Sequence, residues 1–242
     1  KMDGSTEPYL NDMLVVGTCN DNQEVPNTRI RSCETEEEVL LEWTKLVQQE
    51  DPDVIIGYNI MGFDFGFMYD RSTELGCEDE FLQLSRNKGE VCIEEDWQTG
   101  ERDIATSQIV IASGQHDLRY ISMPGRLIID LYNVYRRDYN LVKYSLNYVS
   151  GQFIGDDVKE MNAEDNARQT QIRCKNTAGV KVNSFVCFEH IVHSTDQHQG
   201  GTKFKVTSVD HASATFTVEG CVEEITKGTL RWGLAKDDVS PQ

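Results

Sequence analysis

No apolar run in these 242 residues approaches the eighteen or more that a membrane-spanning helix needs. The first twenty residues lack the basic start and apolar middle of a secretory leader. Cysteine occurs without pattern: the seven, at 19, 33, 77, 92, 174, 187 and 221, are odd in number and show no CxxC spacing. That argues against a disulfide framework or a zinc site and favours reduced, mostly buried thiols. Of the five histidines, His190 and His193 sit three apart, but no cysteine or carboxylate completes a metal pattern, so a surface role is expected. Internal repeats and low-complexity tracts are also missing. These absences together lead to the expectation of a soluble, intracellular chain.

Basic charge is scarce too. Lys and Arg number 23 against 41 Asp and Glu, a net charge of −18. The deficit is confined to residues 1–171, with fifteen basic against thirty-three acidic side chains; residues 172–242 carry eight of each. An acidic domain can still read a few nucleotides if metal ions supply the positive charge. It could not easily grip duplex through its own surface, so any duplex-gripping region is expected outside this chain. The hydrophobic content of 38% suits a globular protein of one large domain or two ordinary ones.

Along the chain, Met13 to Thr18 reads as a core strand, followed by a polar turn region to Ser32. Thr35 with Glu36, Glu37 and Glu38 is a helix start: a capping hydroxyl, a Glu three later, and acids at the positive end of the dipole. Val39, Leu40, Trp43, Leu46 and Val47 continue it as an apolar stripe. Val54 to Gly57 reads as a buried strand. From Phe63 the residues Phe63, Phe67 and Met68 recur at helical spacing, and Gly76 ends that helix. A short helix is expected over 78–84, a surface excursion over 87–107, strands at 109–112 and 126–131, and helices from Tyr132 and over 144–153. Residues 156–171 suit a helix tail or linker. Beyond 171 the texture turns to β, with runs at 180–191, 203–209 and 214–218 punctuated by glycine, as in a small barrel-like or meander unit.

The loop Tyr58-Asn59-Ile60-Met61-Gly62-Phe63-Asp64 lies where a parallel strand hands over to a helix, the place where open α/β sheets carry ligands. Aromatic faces can stack on bases, Asn59 can both donate and accept, and Asp64 offers hard oxygens suited to Mg²⁺ or Mn²⁺. The spacing fits equally a structural role, with Tyr58 and Phe63 as core aromatics and Asp64 as a helix cap. Tyr58-Asn59-x-x-x-Phe63-Asp64, preceded by Asp53-Val54-Ile55-Ile56-Gly57, resembles the second exonuclease motif of B-family DNA polymerases. The likeness continues through Ser85 to Lys88, Ile111 to Asp117, Gly125 to Tyr132, Arg136 to Leu141, Tyr148-Val149 and Phe153 to Asp156. Together these look most like polymerases of large DNA viruses, the mimivirus-like group in particular.

That resemblance implies an α/β, ribonuclease-H-like 3′–5′ exonuclease fold, incomplete here, over residues 1–160, with a linker and a small C-terminal β-rich, barrel-like unit over 161–242. It implies proofreading hydrolysis at a DNA 3′ end by two Mg²⁺ or Mn²⁺ ions. Asp64 would be one metal-holding, catalytic carboxylate, and Tyr58, Asn59 and Phe63 would line the path of the unpaired end. The partners implied are single-stranded primer DNA, the rest of the polymerase chain and a sliding clamp, at a viral replication site and with no membrane. The family's DxE pair and its later YxxxD helix do not occur in this sequence, so the segment is expected to be inactive alone. Asp130, ending a strand, is the alternative carboxylate; the resemblance makes it structural. A separate DEDD-type nuclease would need a DxE strand. A degenerate exonuclease fold retained for structure or nucleic-acid binding, without catalysis, is the other reading. Arg136, Arg137 and Lys143 form the one basic cluster of the acidic part, on a solvated helix face or against duplex phosphate.

Overall fold

The computed structural model describes residues 8–19, 28–111, 114–163 and 168–235. The chain divides into two compact units, residues 1–140 and 141–242. The composition change near residue 160 therefore falls inside the second unit. Among the described residues, no helix is long and apolar enough to cross a membrane.

In the first unit, β1 (Asn11–Val16) pairs in parallel with β2 (Thr28–Cys33), a strand within the stretch expected to be a turn region. Helix α1 (Glu36–Glu50) follows. The Thr35 hydroxyl accepts the Glu38 amide at 3.2 Å, and the Glu38 carboxylate accepts the Glu34 amide at 2.6 Å. Asp51 closes this helix in the left-handed region at φ 43°, its N–H reaching the Val47 carbonyl. Leu40 and Val47 face inward, and the buried Thr44 donates to the Phe81 carbonyl at 2.7 Å.

β3 (Val54–Gly57) runs parallel to β8 (Leu127–Asp130), with Ile55 opposite Ile128 and Gly57 opposite Asp130. Ile55 and Ile128 pack on the core, whereas Val54 and Ile56 are 41% and 58% exposed. The expectation of a strand buried on both faces is thus corrected. Successive side chains alternate faces, and the described residues cover only one of them.

Helix α2 (Phe65–Leu75) buries Phe65, Tyr69 and Ser72 and ends on Gly76 at φ 72°; α3 (Glu78–Phe81) follows. The 87–107 excursion holds a short hairpin, β4 (Glu94–Glu95) with β5 (Arg102–Asp103). A longer hairpin, β6 (Ala105–Ile111) with β7 (Gly114–Tyr120), replaces the single strand expected there. Arg119 fastens β7 to α2, reaching Asp70 at 2.7 Å and lying over the Tyr69 ring. β8 leads directly into α4 (Leu131–Asp138), where Arg137 pairs with Asp138 at 2.7 Å.

The second unit opens with α5 (Leu146–Phe153), whose last turn receives the Arg231 guanidinium on the Gly151 and Gln152 carbonyls. A cation there complements the helix dipole. Residues 156–171 are not a helix tail. Their described part forms β9 (Gly155–Asp157), β10 (Glu160–Ala163) and the start of β11 (Gln169–Arg173). With β12 (Phe185–Ile191), β13 (Thr195–Gln197), β14 (Phe204–Asp210), β15 (Thr215–Glu219) and β16 (Thr229–Ala235) they make one sheet. Its order is β10-β11-β15-β14-β12-β16-β9, with β13 beside β12 and every pairing antiparallel.

The order has two ends, so the sheet is not a closed barrel. Its end strands are nonetheless consecutive in the chain: the Val158 N–H goes to Leu230 and the Lys159 N–H to Arg173. Alternate residues of these strands, including Ile172, Val186, Phe188, Val206, Phe216, Val218 and Trp232, form a core of their own. Asp156 fastens the following loop by accepting the Lys175 and Asn176 amides at 2.7 and 2.9 Å. Burial alone would raise its pKa, but these bonds and that from the Asp157 amide hold it below the usual carboxylate range.

Candidate nuclease site at the paired strand ends

Because β3 and β8 are parallel and in register to their last residues, whatever follows each strand emerges side by side. Gly57 ends β3; a Cβ there would sit 2.3 Å from the Ile60 side chain, so the close turn requires glycine. Asn59 then takes the left-handed conformation, φ 63° and ψ 23°, a region asparagine tolerates better than most residues. Its carbonyl accepts the Gly62 and Phe63 amides at 3.1 and 3.0 Å.

Residues Ile60–Asp64 form a single π-helical turn, closed by the Phe65 N–H on the Ile60 carbonyl. Such wide turns are uncommon and concentrate at functional sites. The Asn59 side chain folds over Gly62, where a Cβ would lie 2.4 Å from its Oδ1.

Asp130 holds this turn in place. It is 4% exposed, and each of its oxygens accepts two N–H groups. Oδ1 takes the amides of Asn59 at 2.7 Å and Tyr132 at 3.0 Å. Oδ2 takes the Met61 amide at 3.0 Å and the Asn133 side chain at 3.3 Å. A carboxylate so engaged is a structural acceptor, with no lone pair directed at an ion.

Asp64, in contrast, is exposed; it sits at the start of α2 in helical conformation and makes no side-chain capping bond. Phe63 is 61% exposed, and its ring stacks parallel on Phe67 at 5.8 Å between centroids and 9° between planes. Tyr58 is half-buried, its ring edge-on to Tyr132 at 5.7 Å. Burial, with Tyr132, Tyr135 and Asp130 nearby, holds the Tyr58 phenol above its ordinary value, so it stays neutral at physiological pH.

Of the four residues singled out from sequence, Phe63 and Asp64 lie in the π-turn and Tyr58 and Asn59 lead into it. The structure adds Tyr132, which meets Tyr58, and a link behind it: Arg136 lies over the Tyr132 ring at 5.1 Å and meets the His116 ring nitrogen at 2.6 Å. The sequence pointed to Tyr132 only through its place after the second strand and its inclusion in the family-like run Gly125 to Tyr132. Phe67 was visible as a helical repeat of Phe63, but spacing could not say which way that face would turn.

The described residues do not make a two-ion site by themselves. Among them, no group of three or more His, Cys, Asp or Glu side chains is placed to hold a metal. Asp64 can offer one ligand, and Asp130 is spent on amides. A cleft of about 580 Å³, lined by Asp51, Arg86, Asn87, Lys88 and Arg126 among others, lies at the amino ends of β3 and β8, opposite the motif turn.

Comparison with known proteins bears on this geometry. Residues 1–149 match the family model for the exonuclease domain of DNA polymerase family B. The chain belongs to that family. It is 42% identical over 247 residues to a DNA polymerase of Phaeocystis pouchetii virus, and 35% identical over 239 residues to one of Pyramimonas orientalis virus. These alignments cover 98% and 99% of this chain but only 23% and 17% of the viral polymerases. The DNA polymerase delta catalytic subunit of Caenorhabditis elegans is 33% identical over 162 residues, 66% of this chain and 14% of that protein. This family B exonuclease segment thus spans less than a quarter of the length of the viral relatives it matches.

Proposed function

We propose that this chain is part of a family B DNA polymerase and contributes one metal-holding carboxylate and the strand-holding residues of its proofreading 3′–5′ exonuclease. The observation that carries the reading is the division of labour between two aspartates. Asp130 is buried and saturated by N–H donors, whereas Asp64, one π-turn away, is exposed beside Asn59 and the open ring of Phe63. The fold reading that goes with it is ribonuclease-H-like, with β3 and β8 as neighbouring parallel strands of a larger sheet.

In this reading Asp64 holds a Mg²⁺ or Mn²⁺ ion near the terminal phosphodiester, and Tyr58, Asn59 and Phe63 position the unpaired single-stranded 3′ end. The remaining ligands come from outside these 242 residues. The bound metals supply the activated water and stabilise the leaving oxygen. This chain's own residues bind, orient and exclude. Neutral aromatic contacts suit a chain of net charge −18, which repels phosphate without intervening cations. The parent polymerase, its DNA and a sliding clamp are the partners proposed.

Mn²⁺ titration of the 242-residue chain tests this. One weak ion, lost in Asp64→Ala, with no excision of a 3′-mismatched primer, is the expected result. Ion binding indifferent to Asp64→Ala would overturn the ligand assignment and favour a degenerate module. Primer excision by the isolated chain would overturn its incompleteness.

A further inference from the structure

We propose that Phe67 is a second nucleic-acid-binding residue, forming with Phe63 a two-ring platform against which bases of the single-stranded 3′ end stack. The inference rests on the exonuclease reading and extends its binding surface one helical turn beyond the family motif.

The π-turn is what creates the surface. α2 starts directly out of it, with Phe65 and Tyr69 committed to the core, so Phe63 and Phe67 fall together on the opposite face. Phe67 is 52% exposed and Phe63 61%, and their rings lie within 9° of parallel. Two Phe rings left half in water on adjacent turns form a surface suited to an apolar, flat occupant.

Two observations select a nucleobase. The platform is continuous with Asp64, the carboxylate placed at the scissile end, since Phe63 and Asp64 are successive residues of one turn. The cations flanking the rings, Arg71 and Arg119, are paired with Glu36 and Asp70 at 2.6 and 2.7 Å, and the nearest carboxylate, Asp64, is exposed; this disfavours phosphate and leaves uncharged base faces as the part of the strand that rings can hold.

The test is binding of a 5′-labelled single-stranded oligonucleotide carrying 2-aminopurine at its 3′ terminus, with Ca²⁺ present to offset the repulsion between phosphate and the acidic chain, followed by anisotropy and by 2-aminopurine emission. Phe67→Ala should weaken binding roughly 5- to 150-fold and lose the change in 2-aminopurine emission, the range that ~1–3 kcal/mol of stacking per base implies. Phe67→Trp should retain both signals, whereas Phe67→Leu, equally apolar but without a π face, should not. Alanine at an exposed helical position keeps α2 folded. If Phe63→Ala weakens binding and Phe67→Ala does not, this inference is overturned and the exonuclease reading stands. If the unaltered chain shows no binding, both fall. If Phe67→Ala changes only the oligomeric state, the platform is a contact between copies and the inference is wrong.

Discussion

Asp130 shows how much one side chain can decide. Its carboxylate gathers three backbone amides and an Asn133 N–H, and two of those amides belong to the motif turn. Asp130→Ala would strand these donors in a buried place, at about 1–3 kcal/mol for each group left unsatisfied. A loss of several kcal/mol in urea unfolding is expected, with amide exchange at Asn59 and Met61 accelerating even where the fold survives. Asp130→Asn should fall between, since its NH₂ must face donors. A metal-binding role would give the opposite signature, little loss of stability and a large change in Mn²⁺ affinity.

At the scale of elements, the best-signalled helix is α1. Thr35, Glu36 to Glu38 and the apolar stripe all point to one start, and the cap forms as the residue types demand. Thr35→Ala should cost about 1 kcal/mol by urea denaturation, and Thr35→Ser should restore most of it. The π-turn was not foreseeable in this way. Its width depends on where Gly57, Gly62 and Asp130 place the backbone, and no local propensity encodes a contact 71 residues away. The polar strand β7 was missed for a related reason: Gly114 to Tyr120 has no apolar alternation and is held by its pairing with β6. Residues 156–171 were misread because charged strands at a sheet margin look like linker.

At the scale of the whole molecule, the first unit is tied at the amino ends of β3 and β8 by a knot of charges around Asp51. Arg126, whose side chain is 2% exposed, donates to Asp51 at 2.8 Å and to the Pro52 and Leu84 carbonyls; Arg86 reaches Asp51, Asp53 and the Gly125 carbonyl. The hydrogen bonds from Arg86 and then Arg126 hold the Asp51 carboxyl below its ordinary value of 3.8. A carboxylate depressed in the folded state stabilises above the unfolded value and loses that contribution as pH falls through the folded one. The urea midpoint of the unaltered chain should therefore exceed that of Asp51→Asn at pH 6, with the gap closing at pH values below about 4. Asparagine tolerates the left-handed backbone at this position, so the variant isolates the charge.

What local chemistry could encode was readable from the residues: the α1 cap, the bounds of β3, the glycine stop of α2, the alternating strands of the second unit, and the clustering of Tyr58, Asn59, Phe63 and Asp64 in one loop. Tertiary structure alone separated the two aspartates, turned Phe63 and Phe67 outward, brought Tyr132 to Tyr58, and left the outer face of β3 uncovered by the described residues. Those outcomes depend on register between strands some seventy residues apart and on which backbone amides remain to be satisfied at their ends. Composition and periodicity carry no record of either.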